Sequence, residues 1–75
     1  MKYLNSEMDL AIAECIHSQR DRTLLRLKLI DGWTNEATAE HPAVDRTPKQ
    51  VANVLAQNKE DLFAFILDLR QRTKR

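Results

Sequence analysis

Four polar side chains at helical spacing, Lys49, Gln50, Asn53 and Gln57, carry the chemistry most open to a functional reading. Asn and Gln end in a planar amide with a donor and an acceptor side by side, which matches the edge that adenine shows in the major groove of DNA. A lysine suits guanine or a phosphate oxygen. Lys49, Gln50 and Asn53 lie in the stretch DRTPKQVANVL, Asp45 to Leu55, and Gln57 follows two residues after it; Arg46 and Thr47 stand just before the set. Thr47 is a good helix N-cap, and Pro48 fits the first helical position, where its missing N–H costs nothing. Gln50, three residues after Thr47, completes a capping box. The backbone N–H groups behind Thr47 form a candidate phosphate site, with Arg46 beside them. Two readings stay open for the polar set: contact with DNA, or the wet face of a small bundle. For Arg46 the choice is a phosphate or a salt bridge with a nearby acid.

The elements that must position these residues are helices. Only one Gly and two Pro occur in 75 residues, too few for the turns of an all-β chain, and good helix formers dominate. A first helix is expected from Ser6 to about His17, with an apolar stripe of Leu4, Met8, Ile12 and Ile16 flanked by Ala11 and Cys15. A second is capped by Ser18 and carries Leu24, Leu25, Leu27, Leu29 and Ile30, with Arg22 and Arg26 on its wet face and Gly32 closing it. Thr34 caps a short third helix, which Pro42 ends. Val44 is the apolar anchor of the loop that follows. The fourth helix is the stretch after Thr47, with Val51, Val54 and Leu55 inward. Asn58 then reads as the cap of a fifth, with Leu62, Phe65, Ile66 and Leu69 inward and Asp68–Arg72 as an i,i+4 pair. The expected fold is all-α: a small bundle of four to five helices containing a helix-turn-helix, as one domain over residues 1–75 with a basic tail over 70–75.

Net charge is only +1, but it is unevenly spread. Residues 1–45 hold five Lys/Arg against eight Asp/Glu, net −3, and residues 46–75 hold seven against three, net +4. Such a split hints at a face for nucleic acid or another charged partner. The tail RQRTKR (Arg70 to Arg75) supplies much of the basic excess, either as a frayed solvated end or as a phosphate contact. Glu7, Asp9, Glu14, Glu36 and Glu40 could instead face a basic partner surface. Trp33 reads as a core or edge residue; if exposed, it reads as a protein-binding hot spot. Phe63, Phe65 and Leu67 read as core, or as a seam with a second copy of the chain.

Other chemistry is poorly served. Cys15 is alone, so no disulfide forms within the chain. Cys15 and His17 are two apart and so on different helix faces, and His41 is remote, so neither a metal nor a cofactor is expected. No nucleophile elbow, Gly-rich phosphate loop or carboxylate pair suggests an enzyme. MKYLNSEMDL lacks the apolar core of a signal peptide, and no apolar run approaches the ~20 residues of a membrane span. The expected location is the cytoplasm, with no membrane partner.

The stretch RDRTLLRLKLIDGWTNEATAEHPAVDRTPKQVANVL resembles the helix-turn-helix of region 4 of bacterial sigma factors and its small phage relatives. Gly32, Thr34, Ala39, Glu40, Thr47 and Val51 fall at matching places. RTPKQV also resembles the third helix of Myb/SANT repeats. The resemblance covers about half the chain. HPAVDR is about two residues longer than the usual sigma-type turn, Thr38 stands where that pattern has a buried Ile, and the chain has one Trp where Myb repeats space several. What the resemblance implies is a DNA-binding class of fold; with the polar set above, the expected function is a small transcription regulator, with Arg46, Thr47, Lys49, Gln50, Asn53 and Gln57 at the DNA. The alternative is an adaptor, similar in size and type to phage proteins that bind host RNA polymerase and inhibit or redirect it.

Overall fold

A computed structural model describes residues 3–73, and it holds four helices and no strand among them: α1 (Asn5–Cys15), α2 (Gln19–Leu29), α3 (Asn35–Glu40) and α4 (Pro48–Thr73). The described chain is all-α. α4 packs against each of the other three helices. Its 26 residues rise about 39 Å, which sets the long axis of a molecule measuring 43 × 22 × 17 Å.

The core is built from stripes that the sequence spaces correctly. Met8, Ala11 and Ile12 of α1, Leu24, Leu25 and Leu27 of α2, and Val51, Leu62 and Ile66 of α4 are buried together with Ile16 and the loop residue Val44. Leu4 does not join its expected stripe: it is 65% exposed, because it occupies the N-cap position with extended backbone. Its N–H donates to Glu7 Oε1 at 2.9 Å, so the start of α1 is held by the acid of its first turn.

The caps follow the sequence closely. Ser18 Oγ accepts from the Asp21 N–H, and Thr34 Oγ1 accepts from the Ala37 N–H at 3.1 Å. Gly32 has φ +73°, the left-handed conformation in which a Cβ is strained, and it turns the chain so that the Trp33 N–H reaches Leu27 O at 2.9 Å. Thr38 is fully buried, and its hydroxyl donates to Thr34 O at 2.8 Å. That bond explains how a polar side chain sits where an Ile was expected. The 41–47 connection is pinned by Val44, and its Val44 N–H donates back to His41 O at 3.0 Å.

Two further expectations are corrected. The fourth and fifth helices are one: Asn58 does not cap a new helix but donates from Nδ2 to Val54 O, at 2.8 Å, one turn back in the same helix. Arg22 does not lie on a wet face. It is half-buried, with Nη2 donating to Ala13 O at 3.0 Å and Nε donating to Ile16 O. α1 has no basic residue in its last turn, so this guanidinium from α2 supplies the cation and the donors that its C-terminal carbonyls lack. Arg26, its neighbour on α2, pairs with Asp9 at 2.7 Å.

The two ends of the described chain are clasped together. Arg70 grips Glu7 with two bonds, Nε to Oε2 at 2.7 Å and Nη2 to Oε1 at 2.6 Å. The Tyr3 ring stacks on Phe63 with centroids 4.8 Å apart, Arg70 lies 5.3 Å from the Tyr3 centroid, and Lys59 Nζ lies 5.7 Å from that of Phe63. The Arg70 bonds, and after them the Leu4 N–H, hold the Glu7 carboxyl down at about 2, against an ordinary value of 4.5. A depressed folded-state value makes the contribution of Glu7 complete above pH 4.5 and lost as pH falls through about 2. Thermal midpoints of the native chain should therefore drop across that window, and those of Glu7→Gln should drop less. Parallel curves would contradict the clasp.

Candidate nucleic-acid interface

The outward side of α4 is set by the same periodicity that buries its inner stripe. Lys49, Asn53 and Gln57 are four residues apart, so each is turned about 40° from the last and all three share one exposed side. No side chain of the three makes a hydrogen bond, ion pair or ring contact with any described residue. Ala56 and Glu60 lie on the same side and are also exposed.

The other three candidate residues are placed differently. Thr47 and Gln50 are exposed, but they are tied to each other: the Thr47 N–H donates to Gln50 Oε1 at 3.0 Å, and the Gln50 N–H donates to Thr47 Oγ1 at 3.2 Å. The capping box is present as expected, and it uses backbone donors that a phosphate would need. Pro48 has no N–H, and those of Thr47 and Gln50 are taken. Of the backbone donors at this helix start, Lys49 alone is left for a phosphate, so the expected anion site is largely filled by the protein itself. Arg46 is half-buried, and no acid pairs with it among the described residues. Its Nε is shielded from water without a hydrogen-bond partner. Asp45, just before it, has φ +49°, a conformation that Asp tolerates better than most residues.

The segment Arg70–Arg75 does not begin as a loose tail. It is helical through Thr73, Arg70 is committed to Glu7, and Arg72 pairs with Asp68 at 2.9 Å. Lys74 and Arg75 lie outside the described residues. A phosphate role for Arg70 would require breaking a two-bond ion pair.

Elsewhere on the surface, Trp33 is 39% exposed at the α2–α3 junction, with its ring 6.0 Å from that of His41. Among the acids, Glu7 and Asp9 are neutralised by Arg70 and Arg26, so they do not face outward as a free acidic set. Glu14, Asp31, Glu36 and Glu40 are exposed and have no ion pair among the described residues. The expected core trio also divides: Phe63 lies under Tyr3, Phe65 is half-buried, and Leu67 is 42% exposed on the outer side of α4.

An open groove of about 390 Å³ runs between the start of α1 and the end of α2, lined by Asn5, Ser6, Asp9, Arg26, Ile30 and Asp31. None of the α4 residues lines it, and the Asp9–Arg26 pair forms part of its polar lining. Burial, with Asp61 and Glu14 adding, pushes the Cys15 thiol up, away from thiolate chemistry. Among the described residues, no three His, Cys, Asp or Glu side chains come together as a metal site, and no helix is long and apolar enough to cross a membrane.

Compared with protein-family models, curated proteins and solved structures, the chain finds no match in any of the three.

Proposed function

We propose that the chain binds double-stranded DNA as a small transcription regulator, laying the first three turns of α4 in the major groove. One observation carries the reading: Lys49, Asn53 and Gln57 form an exposed line whose hydrogen-bonding groups have no partner in the described chain. The doubly bonded Thr47–Gln50 start gives that line a fixed direction. In this reading α3 and α4 act as the helix-turn-helix unit, with α3 beside the DNA backbone, although the 41–47 connection is longer than a tight turn. Lys49, with Arg46 behind it, positions the helix on phosphate, and Asn53 and Gln57 face the bases.

Lysine contacts to phosphate act on every sequence alike. Lys49→Ala should therefore weaken binding to specific and random duplexes to the same degree, and should lower the slope of log affinity against log salt by about one. Anisotropy titrations at several salt concentrations measure both. Unchanged affinity with an unchanged slope would contradict the reading.

A second reading is favoured by Trp33. Tryptophan is enriched among the residues that carry binding energy at protein interfaces, Trp33 is exposed, and acids without an ion pair among the described residues, Asp31, Glu36 and Glu40, flank it in sequence. That combination suits an adaptor on a basic protein surface, with RNA polymerase as the partner proposed. Pull-down from extract after nuclease treatment separates the two. Polymerase subunits that stay bound, and are lost with Trp33→Ala, would support the adaptor. Capture that disappears with nuclease would support the DNA reader.

A further inference from the structure

We infer that the α4 line is built for A·T base pairs, and that Asn53 and Gln57 each address one of them about two steps apart. The inference rests on the DNA reading above and adds the kind of sequence that is read.

Three observations carry it. The first concerns which amides are free. An adenine contact uses both ends of an amide at once, the oxygen accepting from N6 and the nitrogen donating to N7. Gln50 Oε1 already accepts from the Thr47 N–H, so Gln50 is exposed yet withdrawn from this task. Asn53 and Gln57 have both ends free.

The second concerns spacing. Four residues of α-helix rise about 6 Å. Base pairs are stacked about 3.4 Å apart along the duplex. With the helix lying along the groove, the two amides therefore reach pairs about two steps apart.

The third concerns what stands between and beyond them. Ala56 is exposed on the same side, one turn after Asn53, and presents a methyl group. Apolar contact of this kind suits the C5-methyl of thymine, which only A·T pairs show. No Arg stands on the exposed side of α4 between Lys49 and Glu60, and with Lys49 on phosphate as in the reading above, the base contacts fall to the two amides. Lys49 stands one turn before Asn53 as a point charge. Glu60, three residues after Gln57, is exposed and has no ion pair among the described residues, and its charge disfavours a phosphate there. The line that can approach DNA thus ends near Gln57.

Selection from a pool of duplexes with a randomised centre tests this, using the full chain and three variants. Asn53→Ala and Gln57→Ala change exposed helix positions to the best helix former and so keep the fold, which far-UV circular dichroism verifies. Gln50→Glu keeps the acceptor for the Thr47 N–H and removes the amide donor. The native chain should enrich A·T pairs at two positions about two steps apart. Asn53→Ala should lose the preference at one of them and Gln57→Ala at the other, each by roughly five- to a hundred-fold. Gln50→Glu should weaken binding overall and leave the preference unchanged.

Enrichment of G·C at those positions would overturn the inference. So would an A·T preference that Gln50→Glu erases while Asn53→Ala and Gln57→Ala keep it. Binding without any sequence enrichment would overturn the inference and leave the DNA reading standing. No binding of any duplex would remove both.

Discussion

Asn58→Pro will destabilise the chain by about 3 kcal/mol or more. A proline in a helix interior removes one backbone bond and collides with the carbonyl four residues earlier. At position 58 that carbonyl is Val54 O, which also accepts the Asn58 side chain. α4 runs unbroken through this point, with Val51 buried on one side of it and Leu62 and Ile66 on the other. A kink there would swing one half of the stripe out of the core. A domain of this size has only about 5–15 kcal/mol of stability. The midpoint of thermal unfolding should fall by on the order of ten degrees or more. Asn58→Leu should act in the opposite direction, because position 58 is half-buried within the inward stripe. Were α4 two helices meeting at Asn58, the leucine variant would lose a cap and be destabilised by about 1 kcal/mol. The sign of that change decides between the two arrangements.

Arg22→Ala will cost about 2–3 kcal/mol, although a charged residue flanked by Asp21 and Thr23 in a polar run reads as a surface position. Its guanidinium donates to Ala13 O and Ile16 O, and hydrogen bonds from a charged donor contribute more than neutral ones. Removal leaves two carbonyls at the end of α1 without their partner, in a part-buried site. It also takes the cation from a helix end that has no other basic residue in its last turn. Arg22→Lys should recover only part of the loss, since an ammonium is a point charge and lacks the fork that reaches both carbonyls. Urea unfolding of the three proteins measures this. A change for Arg22→Ala within about ±0.5 kcal/mol, typical of a surface substitution, would contradict the assigned role.

What the sequence disclosed depends on the range of each interaction. The caps at Ser18, Thr34 and Thr47, the left-handed Gly32 and the anchor Val44 are decided within a few residues, and each is found where local chemistry puts it. The division at Asn58 failed for a reason that was itself legible. Val51, Leu55, Leu62, Ile66 and Leu69 keep one helical phase across position 58, and nothing between Lys49 and Thr73 is Gly or Pro. Asn is a good cap residue, yet a side chain that bonds its own helix needs no helix end.

Arg22, Glu7 and Arg70 were beyond reach because their partners lie on other elements. Glu7 and Arg70 are 63 residues apart, and no local pattern announces such a pair. For the candidate interface, helical spacing was enough to place Lys49, Asn53 and Gln57 on one side. It was not enough to show that Gln50 spends its oxygen on the Thr47 N–H, because a capping residue and a base-reading residue look alike in sequence.

The most direct test of the proposal that α4 reads DNA is a titration of the ¹⁵N-labelled chain with duplexes recovered by selection, followed by backbone and side-chain amide signals. The account predicts the largest changes over residues 46–57, with the side-chain amides of Asn53 and Gln57 shifting and that of Gln50 nearly still. Changes centred instead on Trp33 and α3, or no change at low salt, would contradict it.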